Sequence, residues 1–287
     1  FSVYYNFEYY KNKFLEHLAY IIFGVIVISL VTSPNIFIGR YNGIIWNPNT
    51  LAFFSTIGFA AVLLNYNKRK NFDYFLLFVF FVIALSTGSR GVLIAIPLAF
   101  FFKFGFSIRN VIYASSAFLA YLLINTIQVD TSVNRFAEQS LFNDRLLQYQ
   151  YAYETFLTKP LFGYGLDKYA YIDKSLVPSH LKGHIISAHN GYLAILVQYG
   201  SIFGFLVLGI IFYHSFSFFN KDNLKNPENR FYSYIIAYTL LAAVYETLLT
   251  GINFFSTILF WLALAILSYS KFNLRTDVNT GQTKFKQ

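Results

Sequence analysis

The feature that most constrains this chain is a succession of long apolar runs, nearly free of charge, separated by short clusters of lysine and arginine. Bounded by charged or turn residues, the runs cover residues 14–31, 50–66, 72–85, 92–102, 108–127, 191–213, 231–249 and 254–270. A helix needs about 20 apolar residues to cross the hydrocarbon core of a bilayer, and most of these runs approach that length. Only 12% of the residues are charged, against about 25% in ordinary globular domains. The pattern predicts an all-α polytopic membrane protein with about eight transmembrane helices.

The third and fourth runs are short for a crossing helix. Fusing them into one helix over residues 74–102 would bury Arg90 near the bilayer centre, at a cost of at least roughly 2.5 kcal/mol. A helical hairpin turning at Gly88 and Gly91 avoids that burial, and it is the expected arrangement.

Orientation follows from the basic residues. One set of connections carries Lys11 and Lys13, Lys68 to Lys70, Lys103 and Arg109, Lys221, Lys225 and Arg230, and Lys271, Arg275, Lys284 and Lys286, whereas the opposite short connections carry only Arg40 and Arg90. Positive residues stay in the cytoplasm, so the first set is predicted inside and residues 128–187 outside. The expected organisation is N-terminal transmembrane helices over 1–127, an extracytoplasmic loop over 128–190, C-terminal transmembrane helices over 191–270 and a polar cytoplasmic tail over 271–287. The chain has no methionine, even at position 1, and residues 1–13 lack a signal-peptide design, so further helices are expected upstream.

Within the long loop, Asn143 or Asp144 can cap a helix starting at Arg145, and Leu146, Tyr149, Tyr153, Phe156 and Leu157 then recur at helical spacing. Such an amphipathic helix is expected to lie on the membrane surface in contact with lipid, aromatic face down. Lys159-Pro160 ends it, and Gly163 and Gly165 permit a turn in which backbone approaches a ligand closely.

Polar residues on the predicted outer side are the candidates for chemistry. Arg40 lies between the first two runs, and Arg90 sits in Ser86-Thr87-Gly88-Ser89-Arg90-Gly91, where it is either functional or snorkels to lipid phosphate. Arg145 opens the loop helix. His189 and Asn190 stand at the mouth of the sixth run, where a neutral imidazole can exchange a proton near neutral pH or, with Asn190, simply cap the helix. Glu246, near the end of the seventh run, needs a partner, either as a structural ion pair with one of these arginines or in a direct role. His180 and His184 are four apart, but Gly183 and Pro178 interrupt a regular helix and no glutamate completes a zinc motif, so no metal site is expected. The absence of cysteine removes thiol chemistry. The net charge of +9 is scattered between apolar runs with no nucleic-acid-binding motif, so no nucleic-acid partner is expected.

Arg145-Leu-Leu-Gln-Tyr149, Lys159-Pro160-Leu161-Phe162-Gly163-Tyr164-Gly165-Leu166, His189-Asn190-Gly191-Tyr192-Leu193 and Gln198-Tyr199-Gly200-Ser201-Ile202-Phe203-Gly204 together resemble the signature region of the O-antigen ligase and polymerase superfamily. Residues 86–91 and 47–52 fit its pattern too, and Tyr149 stands where the family usually carries tryptophan. The resemblance implies a cofactor-free, metal-independent glycosyltransferase of the bacterial cytoplasmic (inner) membrane, with its active site facing outside. Its implied substrates are a polyprenyl-diphosphate-linked glycan donor and a glycan or lipid acceptor. The reaction is either repeat-unit polymerisation, which is the preferred expectation, or ligation to a terminal lipid, glycan or protein. In this expectation Arg90 and Arg145 grip the departing diphosphate, His189 orients or deprotonates the acceptor hydroxyl and Glu246 supports it, with Arg40, Tyr149, Gly163, Gly165 and Asn190 on the substrate. The competing class is a transporter of an anionic solute, which would show internal repeats and discontinuous helices aimed at a midplane site.

Overall fold

The computed structural model describes residues 2–36, 38–65, 71–105, 107, 110, 143–166, 189–249 and 254–279, with side chains at the helix end described as far as Phe272. The expected fifth span at 108–127 apart from Asn110, most of the 128–187 loop, the basic cluster at 68–70 and both His180 and His184 lie outside the described residues. All regular structure among the described residues is helical, and no strand occurs there.

The longer helices are α1 (Phe14–Thr32), α2 (Pro48–Leu64), α3 (Asn71–Ser86), α4 (Val92–Phe104), α5 (Asn143–Thr158), α6 (Gly191–Phe216), α7 (Arg230–Ala242) and α8 (Phe255–Asn279). Short helical turns at Ser2–Tyr5, Phe7–Asn12 and Lys221–Lys225 accompany them. Among the described residues, three stretches are long and apolar enough to cross a membrane, namely Phe14–Thr32, Gly191–Phe216 and Phe255–Phe272, and α2, α3 and α4 are shorter apolar helices. Two compact units result. One comprises Phe1–Gln139, Lys221–Tyr234 and Ile266–Gln287, and the other Ser140–Asn220 and Ile235–Ala265.

In the first unit α2 is the central helix, packed by α1, α3 and α4. It is apolar on all sides, as a fully enclosed helix must be, and every residue from Ser55 to Leu64 is buried. Its start is set locally: the Asn47 side chain accepts from the Asn49 amide at 2.8 Å and Pro48 occupies the first turn, where its missing N–H costs nothing. Gly58 lets α3 approach, because a β-carbon there would lie 2.8 Å from the Phe80 ring, itself fully buried.

The chain reverses between α3 and α4. Tyr41 donates its amide to the Ser86 carbonyl at 3.0 Å, near the beginning of α2, whereas Lys103 Nζ lies 3.5 Å from the Asn65 carbonyl, at the far end of α2. The helix stops at Ser86 and resumes at Val92, with Gly88 in the left-handed region at φ 59°. The expected hairpin turn is therefore present, and a single helix through Arg90 is not.

Two helix ends differ from the sequence reading. The apolar run 231–249 is helical only to Ala242, after which residues 243–249 form turns and bends. No Gly or Pro marks that stop; the carbonyls a continuing helix would use are claimed from outside, as described below. Conversely, α8 runs on to Asn279, past the apolar run ending at 270, because no helix breaker stands between Ser270 and Asn279.

Gly58→Val is expected to overpack the α2–α3 contact and destabilise the protein by about 1–3 kcal/mol. A lowered melting temperature in detergent, with Gly24→Val as the control because nothing lies within 4 Å of a β-carbon there, checks this.

Candidate active site

The second unit brings Arg145, Tyr149, His189, Asn190 and Glu246 together. Glu246 is the common partner: its Oε1 accepts from the Arg145 guanidinium at 3.1 Å, and its Oε2 lies 3.4 Å from His189 Nδ1. The side chains of Arg145, His189 and Glu246 keep 29%, 32% and 23% of their surface exposed, so all three are reachable by a substrate. The Arg145 guanidinium carbon also lies over the Tyr245 ring, 5.4 Å from its centre, a cation–π contact.

Each of these groups is positioned by backbone. Arg145 and Tyr149 are one turn apart on α5, and the Tyr149 hydroxyl donates to the Val244 carbonyl at 2.7 Å. Burial raises the Tyr149 phenol above its ordinary ionisation range, so it remains a protonated donor at neutral pH. On the opposite flank, the Asn190 side chain caps α6 by accepting from the amides of Tyr192 and Leu193, both at 3.0 Å. Gly191 donates its amide to the Ala243 carbonyl at 2.7 Å, and the Tyr192 hydroxyl donates to the Leu240 carbonyl at 2.6 Å. A β-carbon at Gly191 would lie 3.2 Å from that of Ala243, so glycine admits the close approach of α6 to the end of α7. These bonds take up the carbonyls of Leu240, Ala243 and Val244 and leave Glu246 on an irregular turn facing both α5 and the start of α6. His189 itself has φ 43°, a left-handed conformation uncommon outside glycine, which turns the chain into the Asn190 cap.

α5 packs on α6 through Tyr151, Ala152 and Val197, with Leu147, Phe156, Tyr164 and Leu193 around them. Gln148 and Thr155 are buried on the same face. The spacing-based reading singled out the face of Leu146, Tyr149, Tyr153, Phe156 and Leu157. Of that set, Leu146, Tyr153 and Leu157 remain more than half exposed, while Tyr149 and Phe156 turn partly inward. The helix thus has two apolar faces, and periodicity alone could not say which one meets protein.

α6 is broken. Gly200 has φ 69° and ψ −175°, dividing the helix into Gly191–Tyr199 and Ser201–Phe216 parts. The groups freed by the break are taken by the segment after α5. Tyr164 and Gly165 donate their amides to the carbonyls of Val197 and Gln198 at 3.0 and 2.8 Å, and Ser201 and Ile202 donate theirs to the carbonyls of Pro160 and Leu161 at 2.7 and 3.3 Å. Gly163 has φ 68°, and a β-carbon on it would sit 2.5 Å from the Gln198 carbonyl oxygen. One on Gly200 would run into the Leu161 carbonyl. The close backbone approach expected at Gly163 and Gly165 is therefore made to this chain's own helix. The sequence did contain Gly200 in Gln198-Tyr199-Gly200-Ser201, but a lone glycine in an apolar helix does not by itself announce a break.

Arg40 and Arg90 belong to the first unit. Arg40 Nε donates to the Thr87 carbonyl at 3.1 Å, and its NH2 bonds Asn49 Oδ1, so this arginine ties the 86–91 turn to the cap of α2. In that turn the Thr87 hydroxyl donates to the Ala84 carbonyl at 2.7 Å and accepts from the Ser89 amide at 3.2 Å. Ser86 to Ser89 are buried, and Arg90 is half-buried at the edge.

Gly200→Ala is expected to cost about 1–3 kcal/mol, since it combines a strained backbone with a collision. Gly209→Ala, in the same helix with no atom within 4 Å, is expected to be neutral; thermal unfolding of the two variants compares them directly.

Residues 75–209 match the family model described as O-antigen ligase. No curated protein matches the chain. The matched stretch includes Arg90, Arg145, Tyr149, Gly163, Gly165, His189, Asn190 and the Gly200 break, whereas Arg40 and Glu246 fall outside it. The chain therefore carries helices long and apolar enough to cross a membrane and, over residues 75–209, just under half of its length, is similar to the O-antigen ligase family.

Proposed function

We propose that this protein transfers a glycan en bloc from a polyprenyl diphosphate carrier to an acceptor hydroxyl, as a surface-polysaccharide repeat-unit polymerase. The observation that carries this reading is the Glu246 carboxylate holding Arg145 and His189 side by side. A glycosyl transfer from a diphosphate needs two things: a cation for the negative charge that grows as the sugar–phosphate bond breaks, and a base for the proton of the incoming hydroxyl. Arg145 supplies a guanidinium, whose forked donors suit phosphate oxygens. His189 presents Nδ1 to Glu246, and with the proton on that nitrogen its Nε2 can accept the proton of a hydroxyl. The acceptor oxygen then bonds to the anomeric carbon as the carbon–oxygen bond to the diphosphate breaks, the proton passes to His189, and the polyprenyl diphosphate leaves with its charge stabilised by Arg145. Glu246 orients the imidazole and keeps the guanidinium in reach. Assignment of Arg40, Arg90, Gly163, Gly165, Tyr149 and Asn190 to substrate rests on the family resemblance.

In this reading the protein is a multi-pass protein of the bacterial cytoplasmic (inner) membrane. Residues 1–127 hold N-terminal transmembrane helices, 128–190 an outward-facing loop, 191–270 C-terminal transmembrane helices and 271–287 a cytoplasmic tail, with about eight spans and the site facing outside. The transporter reading has one observation in its favour, the discontinuous α6. The amides and carbonyls freed by that break are occupied by residues 160–165, which leaves them unavailable to a solute.

Arg145→Ala and His189→Ala are each expected to lower glycan transfer by purified protein about 100-fold or more at matched abundance. Transfer left near the unsubstituted rate by both changes would remove the cluster from the chemistry. Ligation by the same reaction is the second reading, favoured by the description of the matched family. In the native host, His189→Ala is expected to leave single repeat units on the final acceptor in a gel of surface glycans. Long chains stranded on the carrier would replace polymerase by ligase.

A further inference from the structure

We propose that residues 160–166 are inserted among the lipid acyl chains of the leaflet in which α6 begins, with Leu161, Phe162 and Leu166 as the side chains in contact with lipid. These three are 55%, 66% and 68% exposed, an unusual concentration of large apolar surface for a loop. They do not stand alone. The Phe162 ring lies 6.4 Å from that of Phe203, centre to centre, and Phe203 is itself exposed on α6 beside Ile202, Phe205 and Leu206. That exposed apolar face belongs to a helix of membrane-crossing length, so the loop continues a surface whose partner is hydrocarbon.

The height of the loop follows from its hydrogen bonds. Residues 160–165 pair with Val197, Gln198, Ser201 and Ile202, so they lie level with the Gly200 break rather than with the beginning of α6. From that break to Phe216 the helix rises about 24 Å at 1.5 Å per residue. The hydrocarbon core is about 30 Å thick, so with the Phe216 end at one boundary the break lies about 6 Å inside the other, and deeper if the helix tilts. Irregular backbone is tolerated at such depth only when its polar groups are bonded within the protein, and the pairing of the break with residues 160–165 meets that condition on both sides. The charge just before the segment is partnered within the protein: Lys159 Nζ sits 4.4 Å from the centre of the Tyr164 ring, whose hydroxyl hydrogen-bonds to that of Thr158. This inference does not depend on the glycan-transfer reading.

The chain contains no cysteine, so single nitroxide labels can be placed without a background. Phe162→Cys, Leu166→Cys and, on the exposed polar face of α5, Gln150→Cys would be labelled in the full chain in phospholipid nanodiscs. Their collision rates with oxygen and with a water-soluble nickel chelate would then be measured. Labels at 162 and 166 are expected to collide readily with oxygen and roughly fivefold less with the nickel chelate than the label at 150, since a polar reagent partitions poorly into hydrocarbon. Nickel accessibility at 162 and 166 equal to that at 150 would place the loop in water and overturn the proposal. Exclusion of both reagents would place protein rather than lipid over Phe162 and overturn it equally. Agreement between the two sites guards against a local disturbance at either one.

Discussion

Everything in the second unit depends on one constraint: a backbone polar group that leaves a helix in an apolar setting must find another partner in the protein. The chain meets it twice. Where α6 breaks at Gly200, the segment after α5 pairs with the exposed amides and carbonyls. Where α7 stops at Ala242, the Gly191 amide and the Tyr149 hydroxyl take the next carbonyls, those of Ala243 and Val244. The first repair joins the segment after α5 to α6, the second joins α5 and the start of α6 to the end of α7, and together they fix the relative positions of the three segments that carry Arg145, His189 and Glu246.

That arrangement explains why a carboxylate can sit between a cation and an imidazole without being consumed as a simple salt bridge. Glu246 uses one oxygen for each neighbour, and neither neighbour is buried beyond reach of solvent. A surface pair of this kind adds little to stability. Its value lies in orientation, since it holds two groups of different character, one at each oxygen of the same carboxylate.

The sequence was most informative where chemistry and length combine. The apolar runs at 14–31, 50–66, 72–85, 92–102 and 191–213 all became helices near the expected limits, and the turn at Ser86 to Gly91 could be placed because a buried Arg90 would be costly. The pairing of Glu246 with Arg145 and His189 was one of the alternatives open for a carboxylate in an apolar run. Less legible were features created by tertiary bonds. The early end of α7 has no local marker, since Ala242-Ala243-Val244-Tyr245 reads as helix and is diverted by partners from α5 and α6. The buried face of α5 was likewise hidden, because a helix with apolar residues on two sides leaves the choice to its neighbours. Arg40 looked like a substrate ligand from its predicted side of the membrane, yet its guanidinium also knits Thr87 to Asn49, a role no spacing in the sequence encodes.

The joint between residues 160–165 and the broken α6 is made by main-chain groups, and this separates what must be kept from what is free to change. Gly163 and Gly200 are fixed by steric contact and left-handed backbone, but the outward side chains of Leu161 and Phe162 contribute nothing to the four hydrogen bonds that hold the joint. Their size and character can therefore drift, altering how the loop meets its surroundings, while the register of the two helices stays the same. A scaffold of main-chain hydrogen bonds thus carries an interchangeable tip.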